Sequence, residues 1–344
     1  GEPVDQWRGH CGGLQGLAFA TPASGIAMTG VVQTPACLPG FLPPDLAAAL
    51  AGGERWVTHF QGANTVWHTW GDAHSPCVVL LHGGSGSWTH WVRNIAPLRD
   101  AGWRVLVPDL PGFGDSDLPA GCVDTDDMPP HLQAGLTQLQ PAGPVSLVGF
   151  SFGGMTAALW LAQPNTTGQS IQHLVLVGAP GMGLTLPQRI ALKGWRHLPS
   201  AEEQAHIHRH NLMALMLQQP DSLDDLALAL HAANVTRDRL TRRRLSSTDI
   251  VARTLPSLRV RVSAIYGEHD ALYRGRLPEL QALMTSLAPH WGQWQTVPGA
   301  GHWVPYEAAD AFNSALLGIL SEPTSPAGAS IAEQAHNANA PTPR

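Results

Sequence analysis

Residues 145–154 read Val145-Ser146-Leu147-Val148-Gly149-Phe150-Ser151-Phe152-Gly153-Gly154, and the order of residue types in this stretch decides the fold. An apolar run of strand composition stops at Gly149. A serine follows, with a glycine two positions away on each side, and Met155-Thr156-Ala157-Ala158-Leu159-Trp160-Leu161 continues as a helix. Strand, Gly-x-Ser-x-Gly and helix in that order form a nucleophile elbow. The turn is so tight that only glycine fits beside it, and it lifts the serine hydroxyl above the sheet. In a chain with 36 glycines the five-residue pattern alone has little specificity and is compatible with an ordinary turn. Its neighbours decide the matter.

Upstream, residues 77–81 form a continuous apolar run, the pattern of a strand buried on both faces. It ends in His82-Gly83-Gly84-Ser85-Gly86-Ser87-Trp88 and leads into a helical stretch over 91–101. A strand over 103–109 precedes Leu110-Pro111-Gly112-Phe113-Gly114-Asp115-Ser116, and a helix is expected over 126–140. Before these, 56–60 and 65–70 read as an antiparallel hairpin. After the elbow comes a strand at 173–178. The alternation then stops: 181–255 is helical in character, with Leu, Met and Ala at helical spacing. It resumes with a strand at 261–266, a helix at 277–287, a strand at 293–297 and a final helix at 307–320. Strands alternating with helices imply right-handed crossovers. The expected class is α/β, with an eight-stranded, mostly parallel sheet carrying helices on both faces. Its core spans 46–180 and 256–320, and 181–255 forms a helical cap over the carboxyl edge, where open α/β sheets bind ligands. Residues 1–45 read as a loop-like extension and 321–344 as a disordered tail.

The net charge of −6 and the absence of a basic stripe exclude nucleic acid as an expected partner. No apolar run approaches the ~18 residues of a membrane span. Cys11, Cys37, Cys77 and Cys122 lack metal or redox spacing, so free thiols and a cytoplasmic location are expected. Residues 14–27 lack the charged flank and unbroken apolar centre of a signal peptide. A chain beginning at Met28 is expected to keep its activity and stability.

A serine hydroxyl needs a base to take its proton, and the base needs a carboxylate to fix its tautomer. In the elbow-bearing arrangement these follow in the order Ser, Asp or Glu, His. Past the helical region, one strand ends in Gly267-Glu268-His269-Asp270 and the next in Pro298-Gly299-Ala300-Gly301-His302-Trp303. Both loops open on the same sheet edge as Ser151, so Asp270 is the expected acid and His302 the expected base. Glu268 and Asp249 are the alternative acids. His206 and His210 share a helical face beside His208, and a solvated face is a better reading there than a zinc site. Backbone N–H groups of Gly84 and Phe152 are the expected oxyanion donors. Arg237, Arg239, Arg242, Arg243 and Arg244 read as a solvated face, from which one side chain can reach the cleft to meet an acidic substrate. No cofactor and no metal are implied; the expected partner is a small-molecule substrate.

Taken together, His82-Gly83-Gly84, Asp109 to Ser116, Gly149 to Gly154, Gly267 to Asp270 and Gly301-His302-Trp303 resemble the α/β-hydrolase superfamily over about residues 50–320. Within it, Trp88 to Asn94, Gly301-His302-Trp303 and Glu307 through Asn313 are similar to meta-cleavage product hydrolases, which cut carbon–carbon bonds in ring-fission products. Two positions depart from that group: Phe150 precedes the nucleophile where those enzymes usually carry Asn, and His90 stands at a substrate-binding Asn. Epoxide hydrolases and haloalkane dehalogenases use an Asp nucleophile, which Ser151 excludes, and no Tyr lies between 181 and 255 to open an epoxide. The resemblance implies a serine hydrolase acting on a small carboxylic ester, with Gly83, His90, Phe150 and Trp303 around the substrate. Carbon–carbon cleavage of a ring-fission diketone acid and low-turnover ligand binding are the alternatives.

Overall fold

The computed structural model describes residues 31–139, 143–165, 168–184 and 189–322. Nine strands form one sheet: β1 (Val32–Pro35), β2 (Glu54–Phe60), β3 (Ala63–Trp70), β4 (Cys77–Leu81), β5 (Arg104–Pro108), β6 (Pro144–Phe150), β7 (Ser170–Val177), β8 (Arg261–Gly267) and β9 (Trp291–Val297). Their spatial order is β1-β2-β3-β5-β4-β6-β7-β8-β9. The first three strands and the β3–β5 pair are antiparallel, and every pair from β5 to β9 is parallel.

The central strands show why this sequence makes a two-faced sheet. Side chains alternate across a strand, and Cys77, Val79 and Leu81 of β4 enter one apolar cluster while Val78 and Leu80 enter the other. The same division holds in β6, with Val145 and Leu147 against Val148 and Phe150. Helices α3 (Pro129–Leu139), α4 (Phe152–Ala162) and α8 (Leu277–Leu287) supply residues to the first cluster; α2 (Ile95–Asp100) and α10 (Ala309–Leu320) supply the second. Each such Val or Leu contributes about 1.5–3 kcal/mol when fully buried. Apolar residues fill most of both faces, hence the long apolar runs in the sequence, and the buried exceptions His173 and Ser263 bond to each other.

The ninth strand is β1, within the stretch expected to be loop-like; Val32 to Pro35 pair with Val57 to Glu54. A short helix, α1 (Pro44–Ala49), follows it. The stretch expected as one helix over 91–101 divides into a 3₁₀ turn, Trp88–Trp91, and α2. The last helix likewise divides into α9 (Val304–Glu307) and α10. Cys37 is disulfide-bonded, whereas Cys77 and Cys122 are free. The expectation of four free thiols is therefore corrected, and it no longer supports a cytoplasmic placement. The signal-peptide reading, Met28 and residues 323–344 lie outside the described residues. No helix among the described residues is long and apolar enough to cross a membrane.

Between β7 and β8 the described chain contains α5 (Ala201–Asn211), a π-helical turn at Leu212–Met216, α6 (Asp225–Val235) and α7 (Ile250–Thr254), without a strand. A Ser200–Glu203 capping box starts α5, and the Asp224 carboxylate accepts from the Ala227 N–H to start α6.

Candidate active site

Ser151 sits between β6 and α4 with φ 52° and ψ −117°, a conformation that costs a non-glycine residue about 1–3 kcal/mol. Its own N–H is held by the Val177 carbonyl at 2.7 Å. Space explains the flanking glycines. A Cβ at Gly149 would lie 2.4 Å from the Gly153 carbonyl oxygen, and one at Gly153 would lie 2.4 Å from that of Leu81. The close approach at Gly153 also brings the start of α4 against the end of β4.

Asp270 and His302 follow β8 and β9, as their strand-end positions imply, and both are buried. Nδ1–H of His302 donates to the Asp270 carboxylate, with oxygens at 2.9 and 3.0 Å, which leaves Nε2 to accept from the Ser151 hydroxyl at 2.9 Å. Asp270 also accepts from the Leu272 N–H at 2.9 Å. The alternative acids are occupied elsewhere. Glu268 accepts from the Gly299 N–H at 2.8 Å, and Asp249 pairs with Arg253 at 2.8 Å.

The loop after β4 is fixed from beneath. The Gly83 carbonyl accepts from His82 Nδ1–H at 2.8 Å, and the Gly83 N–H donates to His90 Nδ1 at 3.2 Å. His82 Nε2 accepts in turn from the Leu110 N–H at 2.9 Å. Burial pushes His82 down to about 4 and His90 well below the usual imidazole value, so both rings stay neutral and keep the tautomers these bonds require. Gly84 and Phe152 each present a backbone N–H without a partner among the described residues.

A cavity of about 710 Å³ opens above Ser151. Gly83, Gly84, Phe150, Phe152 and His302 line its floor; Leu215, Met216, Ile190 and Leu192 of the insertion form an apolar wall. The lining also includes a polar set, Ser85, Arg243, Ser246, Ser247 and Thr248. His90 and Trp303, expected around the substrate, are not among the residues that line this cavity. Trp303 Nε1–H donates to the His90 carbonyl at 3.1 Å, and the two rings pack 5.0 Å apart behind the Gly83 loop. Of the five insertion arginines, Arg243 reaches the cavity. Arg237 pairs with Asp115, and Arg239 donates to the carbonyls of Gly112, Gly114 and Ser116. Arg189 also lines the cavity, a position the arginine-run reading did not include.

The profile of the Alpha/beta hydrolase family matches residues 78–315. The chain belongs to the alpha/beta hydrolase family. Its similarity to curated members includes the 2-hydroxy-6-oxo-6-phenylhexa-2,4-dienoate hydrolase of Burkholderia cepacia, 29% identical over 259 residues, covering 71% of this chain and 87% of that protein. The 2-hydroxy-6-oxononadienedioate/2-hydroxy-6-oxononatrienedioate hydrolase of Escherichia coli is also 29% identical, with 72% and 87% covered. Among solved structures, the Bacillus subtilis carboxylesterase CesB superposes with a TM-score of 0.66 at 19% identity, covering 80% of this chain and 95% of that one. The Rhodococcus sp. esterase RhEst1 gives 0.61 at 22%, covering 77% and 98%. At such identities the structural likeness shows the fold.

In this alpha/beta hydrolase the three stretches similar to meta-cleavage product hydrolases touch one another. Asn94 Nδ2–H donates to Asn313 Oδ1 at 2.8 Å and to the Pro305 carbonyl at 2.9 Å, and Arg93 Nη1 donates to the Tyr306 carbonyl at 2.9 Å. The hydrolase fold also uses Glu307, which sequence reading left without a role. One oxygen accepts from the N–H groups of Gln218 (2.8 Å) and Gln219 (2.7 Å), the other from Gly301 (2.6 Å). An acidic residue five positions past the histidine was the available signal, but its partners lie far off in sequence. The three histidines of α5 part company as well: His206 is exposed, whereas His208 is buried against Trp195 and His231.

Proposed function

We propose that this alpha/beta hydrolase is a serine hydrolase that cleaves a small carboxylic ester through an acyl-enzyme, with Ser151, His302 and Asp270 as its triad and the insertion between β7 and β8 as a cap over the site. The observation that carries the reading is the unbroken hydrogen-bond path from Asp270 through His302 to Ser151, opening on a cavity beside two unpartnered N–H groups. Ser151 Oγ attacks the ester carbonyl carbon while His302 Nε2 takes its proton, and Asp270 stabilises the imidazolium that forms. The Gly84 and Phe152 N–H groups receive the negative oxygen of the tetrahedral intermediate. His302 then protonates the leaving alcohol. It next deprotonates a water, which attacks the acyl carbon and releases Ser151. No cofactor enters this sequence.

Phe150 favours the ester over the ring-fission acid. Its buried ring lines the cavity 5.1 Å from the His302 ring and offers only apolar surface beside the nucleophile. The second reading, carbon–carbon cleavage, draws on the 29% identity to the Burkholderia cepacia enzyme. The deciding experiment measures turnover of a p-nitrophenyl ester series beside 2-hydroxy-6-oxo-6-phenylhexa-2,4-dienoate, with one enzyme batch at one pH. Ester kcat/KM exceeding that for the dienoate by at least about tenfold is expected, equivalent to ~1.4 kcal/mol of transition-state binding. A preference for the dienoate overturns the ester reading. Labelling by a fluorophosphonate without turnover of any ester or of the dienoate makes the protein a ligand binder.

A further inference from the structure

Arg243 is tied to the loop that carries Gly84. Its Nη2 donates to Asp238 Oδ2 at 2.8 Å and to Ser85 Oγ at 3.1 Å, and the Ser85 hydroxyl donates to the same carboxylate oxygen at 2.5 Å. Ser85 holds a φ of 54°, a left-handed conformation that a non-glycine residue adopts only when its surroundings fix it. Asp238 is shielded from solvent, and it is not part of the cavity wall.

The other end of the guanidinium faces the site. A Cβ on Gly84 would lie 2.8 Å from Arg243 Nη1 and 3.6 Å from the Phe152 Cβ, so Nη1 occupies space that any side chain at 84 would take. Nη1 has no partner among the described residues. The guanidinium also lies 5.8 Å from the Phe152 ring centre and 5.6 Å from that of Phe113. Arginine spreads its charge over a planar fork, so Asp238 can hold one arm while the other still presents N–H donors. The free arm therefore stands beside Gly84, with the Phe152 side chain on the same side of that residue.

We propose that Arg243 completes the oxyanion hole from the cap, presenting Nη1 to the carbonyl oxygen that becomes negative during attack. This rests on the serine-hydrolase reading above, and it makes the cap a working part of the catalytic centre, beyond covering it. Positive charge held close to developing negative charge in a water-poor site stabilises the transition state more than the neutral ester that precedes it. Loss of Arg243 therefore falls on kcat and leaves KM for an uncharged ester little changed.

The test compares wild type, Arg243→Ala and Arg243→Lys on p-nitrophenyl butyrate and on the mono-p-nitrophenyl ester of succinic acid. Arg243→Ala should lose about tenfold to a hundredfold in kcat on both esters. Arg243→Lys should regain part of the loss, and guanidinium chloride well below denaturing concentration should revive Arg243→Ala. A second readout is the rate at which a neutral p-nitrophenyl phosphonate modifies Ser151. There a Ser151 Oγ–P bond forms, the bond to p-nitrophenolate breaks, and the serine proton passes to His302. That rate needs no ester turnover, so a wild type that is phosphonylated but cleaves no ester defeats the ester reading and leaves the Arg243 test standing. A loss confined to KM for the succinate ester, or an Arg243→Ala enzyme phosphonylated at the wild-type rate, overturns the proposal.

Discussion

The N–H of Gly301, the residue before His302, donates to the Glu307 carboxylate at 2.6 Å, and that carboxylate also holds the backbone of Gln218 and Gln219 in the insertion. The Trp303 N–H donates to the Met216 carbonyl at 2.7 Å beside it. One acidic side chain thus joins the loop of the histidine to the segment behind Met216, a cavity-lining residue.

Glu307→Gln keeps the shape but sets an amide donor against a backbone donor, whichever way the amide turns. The expected cost is about 1–3 kcal/mol of stability. Because Gly301 adjoins His302, kcat should fall more than KM rises. Thermal denaturation together with steady-state kinetics checks both; an unchanged melting temperature and unchanged kcat would remove Glu307 from any positioning role.

Ser151→Ala should leave the fold intact and reduce kcat by roughly 10³-fold or more. Asp270→Asn should also reduce activity strongly, because it no longer selects the Nδ1–H tautomer that lets Nε2 face Ser151. Glu268→Gln is expected to leave activity close to wild type. Damage by Glu268→Gln with sparing by Asp270→Asn would reassign the acid.

Buried and half-buried histidines make stability fall in acid. Burial pushes His82 and His173 down to about 4, and His68 and His231 down to about 3. The unfolded chain takes up protons below the ~6.5 of free imidazole while the folded chain does not. Stability is therefore retained above that value and lost as pH falls through it, until each folded value is passed. The slope reaches about 1.4 kcal/mol per pH unit for each group. His231 Nε2 is buried without a partner among the described residues. His231→Leu should thus flatten the acid limb of a urea-denaturation series across pH without lowering stability at pH 8. A limb as steep as wild type would disprove the contribution of His231.

Phe150→Asn tests what the residue before the nucleophile selects. It should lower kcat/KM for a neutral aryl ester and raise it for the dienoate, shifting their ratio by about tenfold. A ratio that stays put would show that the ring at 150 does not discriminate between the two chemistries.

Ser151, Asp270 and His302 were legible because each follows a strand end, and the order of strand ends in the chain reproduces the order of groups along one sheet edge. The glycines were legible for a local reason, since backbone crowding at Gly149 and Gly153 comes from immediate neighbours and the adjoining strand. Glu307, His82, His90 and Arg243 act through partners distant in sequence or through backbone groups, and no periodicity encodes such meetings. His90 shows the difference well. Its position suited a substrate contact, yet its ring turns inward to hold the Gly83 N–H. β1 escaped notice because four residues at an antiparallel edge, with Pro35 among them, carry too short an alternation to register.

The insertion is fastened at several separate points: Asp238 on Ser85, Asp124 on the backbone of Arg244 and Leu245, Asn234 on Ser87 and Thr89, and Glu307 on Gln218 and Gln219. Arg189, Ile190 and Leu192 line the cavity with no such tie among the described residues, and Leu192 is 54% exposed, high for a large apolar side chain. On either side of Leu192 the backbone is held within the insertion instead, with His210 on the Ala191 carbonyl and Asn211 on Lys193. These apolar side chains share one cavity lining with Arg189 and Arg243, so the size and greasiness of a bound molecule count there together with its charge.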